Sequence, residues 1–382
     1  MILPVKHKAV NWVDGMKISS SHFVQTDNFI HDLVKDSNAL LLNNYNFGLL
    51  PPFGGTSNGT FDVQIIERAS NHIQVKIKTC NAVTAEGYRI SIATQGIGQE
   101  VTFDHYFNQD GLEDGNETYF IVLTVNPHER VAAGQPDAEE LPLRYPDVES
   151  RYTVTFLPAS QINNRTNHYL EIGKFTKNGS GIQIHTNYIP PSACLLSHPD
   201  LVSAYELFSG QLNQIQLLSF RILDKITSKE SISTIGKNVK ALCEKMLDYI
   251  ARIYFPYRNI AYNQSPVVLV GYFSEMAHVF FSTVKSIAGA EREELLKYFY
   301  EWKDVTPGNF EELLARLIEI VYNHHDIRSS VTAVDEFLKV IVALWNKLST
   351  LEYIGQRKEN IVVAEQQVVQ TVQAKRAWTL LD

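Results

Sequence analysis

The feature that most constrains the fold of this 382-residue chain is a change in hydrophobic period near residue 190. Before that point, apolar residues alternate with polar ones, as they do in strands that bury one face. After it, they recur every three or four residues, as they do in helices that pack along one seam. The sequence therefore predicts an α+β protein in two parts, an antiparallel β-sandwich followed by a helical bundle with heptad seams.

Five short segments in the first part carry the alternation, and turn-forming pairs such as Gly54-Gly55 and Asn178-Gly179 separate strands of this kind. The apolar run at 119–123 is continuous, which predicts a strand buried on both faces. The alternating sets are Phe61/Val63/Ile65, Ile73/Val75/Ile77, Tyr88/Ile90/Ile92, Tyr152/Val154/Phe156 and Ile182/Ile184.

Two other segments interrupt these strands. An early helix is expected around 21–43, with Ser20 or Ser21 as its cap. Residues 110–149 hold ten acidic and two basic side chains together with four prolines, and they predict a long exposed loop. The acidic excess of this loop fits either an electrostatic docking surface or an ordinary solvated face.

Apolar residues after Pro190-Pro191 fall at strict four-three steps, which predicts helices that share a bundle seam. Thr227 and Glu230 are expected to cap the second helix, Pro256 to end it, and Ser265-Pro266 to begin the third. The predicted seam comprises Leu201, Tyr205, Phe208, Leu212, Ile215, Ile222, Ile235, Val239, Leu242 and Met246.

The expected organisation is a β domain at 1–192, a helical domain at 193–350 and a tail of uncertain structure at 351–382. Within the tail, 361–372 fits a strand or a weak helix equally well. Several helices are also apolar away from the seam, so the bundle needs more neighbours than one seam provides. An oligomer and a larger monomeric bundle both satisfy this need. The apolar residues off the seam include Leu207, Leu217, Leu218, Leu223 and Phe281.

Bulk properties exclude several classes of protein. The net charge is −8 without a basic stripe, which argues against binding to a nucleic-acid backbone. Three widely spaced cysteines fit neither a disulfide framework nor a zinc knuckle. The N-terminus lacks a signal peptide, and no stretch approaches the roughly 18–20 apolar residues of a membrane span. These features predict a cytoplasmic protein that does not insert into a membrane.

Catalytic and cofactor-binding motifs are missing from the sequence, including the nucleophile elbow, the phosphate loop and the EF-hand. The glycine cluster at 54–59 lacks the Lys-Ser/Thr of a phosphate loop. His324-His325-Asp326 resembles a metal cluster, but adjacent residues diverge on a helix, so a helix end or a linker is expected. Cys80 and Cys243 are expected in the core. The chain is therefore predicted to have no catalytic residue, cofactor or metal.

The opening segment carries the most specific motif. Asn11 to Met16 reads NWVDGM, and Ser21 to Asp27 reads SHFVQTD. This segment resembles the opening signature of the TssK family of type VI secretion baseplate subunits. Gly48-Leu49, Arg151-Tyr152 and Tyr188 to Pro191 also resemble that family in order and spacing. Lys17, Ser20 and Ser21 stand where the family more often has an aromatic, Pro and Gln.

The resemblance implies a β shell domain, a helical neck that forms a homotrimer, and a structural role without catalysis. It implies binding to TssF and TssG baseplate subunits in the cytoplasm, facing the inner membrane. The segment 12–23 is expected to contribute to that contact, although Trp12 fits a core position equally well. His22 fits a general base, a hydrogen-bonding residue near the helix start, or a part of this contact. The candidate contact residues are Trp12, Gly15, Met16, His22, Phe23 and Gln25.

Two points remain open at this level. The residues that follow the last predicted helix are too few for the C-terminal head domain of the family, so a short version with an unknown membrane-side partner is expected. A phage-tail-like receptor-binding or baseplate protein is the alternative, because it would have the same shell and trimeric stalk.

Overall fold

The computed structural model describes residues 4–54, 59, 61–69, 72–93, 101–106, 117–137, 139–164, 168–178, 181–303 and 306–357. It confirms the predicted two-part α+β architecture, in which strands dominate up to Ile184 and helices dominate from Pro199. The strands are β1 (Gly48–Leu49), β2 (Phe61–Ala69), β3 (His72–Val83), β4 (Arg89–Ala93), β5 (Val101–Tyr106), β6 (Glu117–Ala133), β7 (Asp147–Pro158), β8 (Tyr169–Asn178) and β9 (Gly181–Ile184). The helices are α1 (Ser20–Ala39), α2 (Pro199–Thr227), α3 (Thr234–Asn259), α4 (Pro266–Lys285), α5 (Gly289–Lys303), α6 (Pro307–Ile318) and α7 (Ile327–Thr350).

The strands form two antiparallel sheets that face each other. In the first sheet β3 pairs with β1, β2, β4 and β5, and in the second the order is β7-β6-β8-β9. Alternating residues from both sheets meet in one apolar core, as the period of two requires. Ile73 and Ile77 from β3 lie in this core with Ile121 from β6 and Leu170 from β8.

Strand β6 is buried on both faces in its first half, as predicted. Ile121 and Leu123 face the sandwich core, whereas Phe120 and Val122 pack in a second cluster with Tyr169. This second cluster lies on the outer side of the second sheet, towards the helical domain.

The prediction of a long loop at 110–149 is wrong for most of the residues described there. Strand β6 continues to Ala133 and pairs with β7, from Arg130 opposite Ser150 to Ala133 opposite Asp147. No residue from Asn126 to Ala133 in β6 or from Asp147 to Ser150 in β7 is fully buried, so this outer part of the hairpin lacks the apolar alternation that identifies a half-buried strand. Pro127 lies at the break in the pairing register, where the ladder requires no donor.

Helix α1 is shorter than the predicted 21–43, and its N-cap is Ser19 rather than Ser20 or Ser21. After Ala39 the chain turns, and Asn46 Oδ1 accepts the backbone N–H of Asn43 at 2.6 Å. Of the twenty residues in α1, only Asp32 and Ala39 are buried, so almost the whole helix lies on the surface.

The six C-terminal helices share one apolar core, and two of the predicted boundaries are corrected. Thr227 ends α2, and its Oγ1 donates to Leu223 O at 3.0 Å, so it does not cap α3. The N-cap of α3 is Ser233, whose Oγ accepts the Gly236 N–H at 3.1 Å. Pro256 lies inside α3 rather than ending it, and the helix continues past it only to Asn259.

Helix α4 begins with Ser265 and Pro266 as predicted, but the Ser265 hydroxyl donates to Tyr45 O instead of capping the helix. By length and composition α4 could cross a membrane, contrary to the expectation that no segment approaches such a span. One face of α4, including Phe273 and Phe280, is buried in the bundle core, which is also typical of a core helix.

Residues 351–357, the described part of the tail, pack on the helical bundle. Leu351 and Ile354 are buried, and Arg357 forms ion pairs with Glu294 and Glu301 at 3.0 and 3.3 Å. The prediction for 361–372 and a predicted turn at 108–111 lie outside the described residues, as do the second residues of the predicted turns Gly54-Gly55 and Asn178-Gly179.

Candidate interaction surfaces and the domain junction

Residues 4–19, which precede α1, form an N-terminal arm in which no residue is buried. Trp12 lies in this arm and is not a core residue. Half of the Trp12 surface is accessible, and the indole ring contacts the rings of His22 and Phe23 at centroid distances of 5.9 and 6.4 Å. Gly15 has a φ of +81° in the turn where Met16 N–H donates to Val13 O at 3.2 Å. This left-handed conformation explains the glycine, because side chains with a Cβ rarely adopt it.

His22 helps to fix the start of α1. Its Nδ1 accepts the Ser19 backbone N–H at 3.1 Å, which satisfies a donor at the helix N-terminus. Gln25 is exposed, and Met16 is half-buried. Of the six candidate contact residues, Trp12, Gly15, Met16, His22, Phe23 and Gln25, none is buried.

Exposed large apolar side chains are concentrated in and around this arm. We define the N-terminal surface as Trp12, Val13, Ile18, Phe23 and Val24, all at least partly accessible. Further exposed apolar residues continue along α1 and the turn after it. These residues are Ile30, Leu33, Val34, Leu40, Leu41 and Tyr45.

The β6–β7 hairpin adjoins α1 and carries a second exposed apolar group at its tip, made of Leu141, Leu143 and Tyr145. Arg130 Nη2 in β6 lies 3.1 Å from Asp27 Oδ2 in α1. Such a surface ion pair is worth at most about 1 kcal/mol, so it orients these elements more than it stabilises them.

The ten predicted seam residues all lie in the core of the helical domain of a single chain. None is more than 6% accessible. The heptad seams therefore pack helices of one chain against one another, and they leave no seam residue for contacts between chains. Off the seam, Leu218 is buried and Leu223 and Phe281 pack against the core, whereas Leu207 and Leu217 stay exposed.

The exposed apolar residues of α2 follow a stripe of their own. Leu207 and Leu217 are exposed, with exposed Gly210 and the polar Gln214 between them at three-four spacing, and Phe220 is exposed beside them. A stripe of this spacing faces one side of the helix, as a second coiled-coil seam would.

The junction between the two domains brings together segments far apart in sequence. Leu49 N–H donates to Pro191 O, and Ala193 N–H donates to Leu49 O, both at 2.8 Å. Gly48, with a φ of +105°, makes this approach possible, since a Cβ there would lie 2.0 Å from Pro191 O. The Gly48-Leu49 and Tyr188–Pro191 motifs therefore meet at one place.

His324-His325-Asp326 lies at the same junction. These residues form part of the linker before α7, as predicted. His324 Nε2 lies 2.9 Å from Phe47 O, and its Nδ1 lies 2.9 Å from the Tyr322 hydroxyl. Burial lowers the pKa of His324 to about 4, so its ring is neutral at neutral pH. His325 Nδ1 lies 3.0 Å from Oε1 of the buried Glu171.

Three charged residues of this junction were not expected from the sequence, namely Glu171, Asp200 and Arg328. Glu171 could have been recognised, because it is a charge within an apolar strand and such a group needs a partner. Arg328 donates from Nε to Asn187 O at 2.7 Å and forms an ion pair with Asp200. These contacts attach α7 to the end of the β domain and to the start of α2.

The cysteines have no features of nucleophiles. All three thiols are free and buried. Burial raises the pKa of Cys80 and of Cys243 to about 12, so both stay protonated at neutral pH. Their predicted place in the core is confirmed.

No family model matches the sequence, and no curated protein matches it. A crystal structure of TssK gives a TM-score of 0.49 at 12% identity over 87% of this chain and 68% of that chain. The baseplate complex from the type VI secretion system gives 0.45 at 13% identity over 82% and 100%. A TssK-TssF-TssG baseplate subcomplex gives 0.42 at 12% identity over 87% and 100%.

The chain is similar to TssK. All three TM-scores are below 0.5 at 12–13% identity. The function therefore has to be argued from the residues of this chain.

Proposed function

We propose that this chain is a structural adaptor of a type VI secretion baseplate that binds TssF- and TssG-like subunits through its N-terminal surface. The observation that carries the proposal is that the apolar side chains of the N-terminal surface are exposed. This surface lies in the segment whose motif resembles the TssK family. The adaptor acts without catalysis or a small-molecule cofactor. It lies in the cytoplasm and faces the inner membrane.

The N-terminal surface exposes five large apolar side chains to water. Single exposed apolar residues are common on proteins, but a continuous group is typical of an interaction site. Trp12 offers a large ring and an indole N–H, a combination that often dominates binding energy. Its contacts with His22 and Phe23 hold the ring in place before binding, which lowers the entropic cost of association.

We further propose that the adaptor forms a homotrimer through the exposed stripe of α2. The seam residues are occupied within one chain, so another apolar face is required. Leu207 and Leu217 supply apolar anchors, and Gly210 between them permits close approach of a neighbouring helix.

A pull-down with a TssF–TssG pair, made with the full chain and with Trp12→Ala, tests the binding site. We expect the variant to stay folded and oligomeric but to lose most of the captured partner. Tyr300→Ala is the matched control, because Tyr300 is a similarly exposed aromatic in α5. Equal capture by wild type and Trp12→Ala would contradict the proposed site, and capture by neither would favour the phage-tail alternative.

A further inference from the structure

A cluster of possible metal ligands joins three segments beneath the exposed helix α1. His7 comes from the N-terminal arm, Asp32 from α1 and His128 from β6. One ligand atom from each residue lies within 4.8 Å of the others. The residues are far apart in sequence, so the fold rather than a local motif brings them together.

The distances are close to those of a tetrahedral zinc site. His7 Nδ1 lies 3.0 Å from Asp32 Oδ2, and His128 Nε2 lies 3.4 Å from Asp32 Oδ1. With ligands about 2.0–2.1 Å from zinc, tetrahedral ligand atoms are ~3.3 Å apart. The two contacts use different oxygens of the Asp32 carboxylate, and the three ligand atoms lie within 4.8 Å of one another, so movement of the rings towards one point would place all three donors around one ion.

The hydrogen bonds within the described residues leave this cluster incomplete. Asp32 is 4% exposed, and its Oδ2 accepts the backbone N–H groups of Lys6 and His7 at 2.9 and 2.7 Å. Its Oδ1 faces only His128 Nε2, at a distance longer than a good hydrogen bond. His128 Nε2 is the nitrogen that faces Asp32 and is the candidate ligand atom, whereas Nδ1 of the same ring is buried without a hydrogen-bond partner in the part of the chain that the structure describes.

We propose that His7, Asp32 and His128 bind a divalent transition metal such as Zn²⁺, which fastens the N-terminal arm and α1 to the β domain. Two imidazoles and one carboxylate are a ligand set that zinc accepts, with water in the fourth position. The ion fixes α1 where packing does little, because Asp32 and Ala39 are the sole buried residues of that helix.

Titration of the chelator-treated full chain with zinc chloride, followed by calorimetry, tests the site. We expect one Zn²⁺ per chain, a higher melting temperature with zinc, and an affinity loss of at least roughly 100-fold in His128→Gln, because losing even an outer-shell partner of a ligand costs roughly 10–100-fold. His128→Cys restores a zinc ligand and should recover binding, and Co²⁺ should give the visible spectrum of a tetrahedral site. His31→Gln is the control, because His31 touches the His128 ring without being one of the three ligands.

Absence of zinc binding at micromolar concentration would overturn the proposal. Binding that His7→Gln and His128→Gln leave unchanged would also overturn it, because the ion would then sit elsewhere. Circular dichroism of each variant separates loss of the site from loss of the fold. The readout is metal binding rather than capture of TssF–TssG, so the two proposals can fail independently.

Discussion

His325 Nδ1 lies 3.0 Å from Glu171 Oε1, and this pair connects the linker before α7 to strand β8 of the other domain. Glu171 is 1% exposed. Burial lowers the pKa of His325, but the Glu171 carboxylate outweighs burial and raises this pKa above its usual value. A raised pKa in the folded state means that protonation of His325 stabilises the fold. That contribution is complete below about pH 6.5 and is lost as the pH rises through the raised pKa.

We expect His325→Gln to lower the free energy of unfolding by about 3 kcal/mol at pH 6, because a buried carboxylate then loses its charged partner. At pH 9 wild-type His325 is itself less protonated, so the difference between the proteins should be smaller. Urea unfolding at both pH values measures the difference. His168→Gln, at an exposed position, is the control. An equal loss at pH 6 and pH 9 would show that the charge of His325 does not matter.

The exposed stripe of α2 gives a prediction about assembly. Leu217 is 59% exposed, so Leu217→Asp should change the free energy of unfolding of the isolated chain by less than about 1 kcal/mol. If the stripe joins three chains, the same change should convert a trimer into a monomer, since it buries unpaired charge. Light scattering at several concentrations measures the mass. Leu143→Asp is the matched control, because Leu143 is equally exposed on the β6–β7 hairpin. A trimer that survives Leu217→Asp would exclude this face.

Gly48 and Gly271 differ in the space available for a Cβ atom, so alanine at the two positions should have opposite effects on stability. Gly48 has a positive φ and lies against the backbone of Pro191, so Gly48→Ala must separate β1 from 190–192. We expect a loss of more than about 1 kcal/mol in the free energy of unfolding. Gly271 lies in α4, and a Cβ added there would meet nothing within 4 Å, so Gly271→Ala should instead stabilise by about 0.5–1 kcal/mol. Thermal unfolding of both variants checks the opposite signs, and equal effects would contradict the argument.

Hydrophobic period predicted those parts of the fold in which burial alone selects the residues. The alternation around Ile73 and the four-three steps around Leu212 each correspond to one buried face, and both lie in a core. The outer half of the β6–β7 hairpin was missed because neither of its faces is buried. Its pairing depends on a partner strand that a local pattern does not reveal.

The candidate sites were harder to predict because their members are distant in sequence. The contact between Phe47 and His324 spans 277 positions, and the cluster of His7, Asp32 and His128 unites three separate segments. No spacing rule connects such residues. The motif at 11–27 indicated where an interaction surface lies, and the structure adds that Trp12 is accessible there in the isolated chain.

A polar residue within the apolar seam of α2 gives the last prediction. Ser219 follows the four-three steps of the seam, yet its side chain is a hydroxyl and is fully buried. The Trp345 Nε1–H in α7 donates to Ser219 Oγ at 2.9 Å, and Ser219 Oγ donates to Ile215 O at 2.8 Å. The serine is therefore the acceptor for a buried indole N–H from a helix more than a hundred residues later.

We expect Ser219→Ala to destabilise the bundle by about 1–3 kcal/mol, because the indole N–H loses its acceptor although alanine favours the helix. Trp345→Phe removes the donor, so adding Ser219→Ala to it should cost less than Ser219→Ala costs alone. Urea unfolding of the two single variants and the double variant gives this coupling energy. Ser286→Ala, at an exposed position where the hydroxyl donates to Thr283 O, is the control and should change stability little. Strictly additive losses would mean that the hydrogen bond between α2 and α7 contributes nothing, and that the serine serves packing alone.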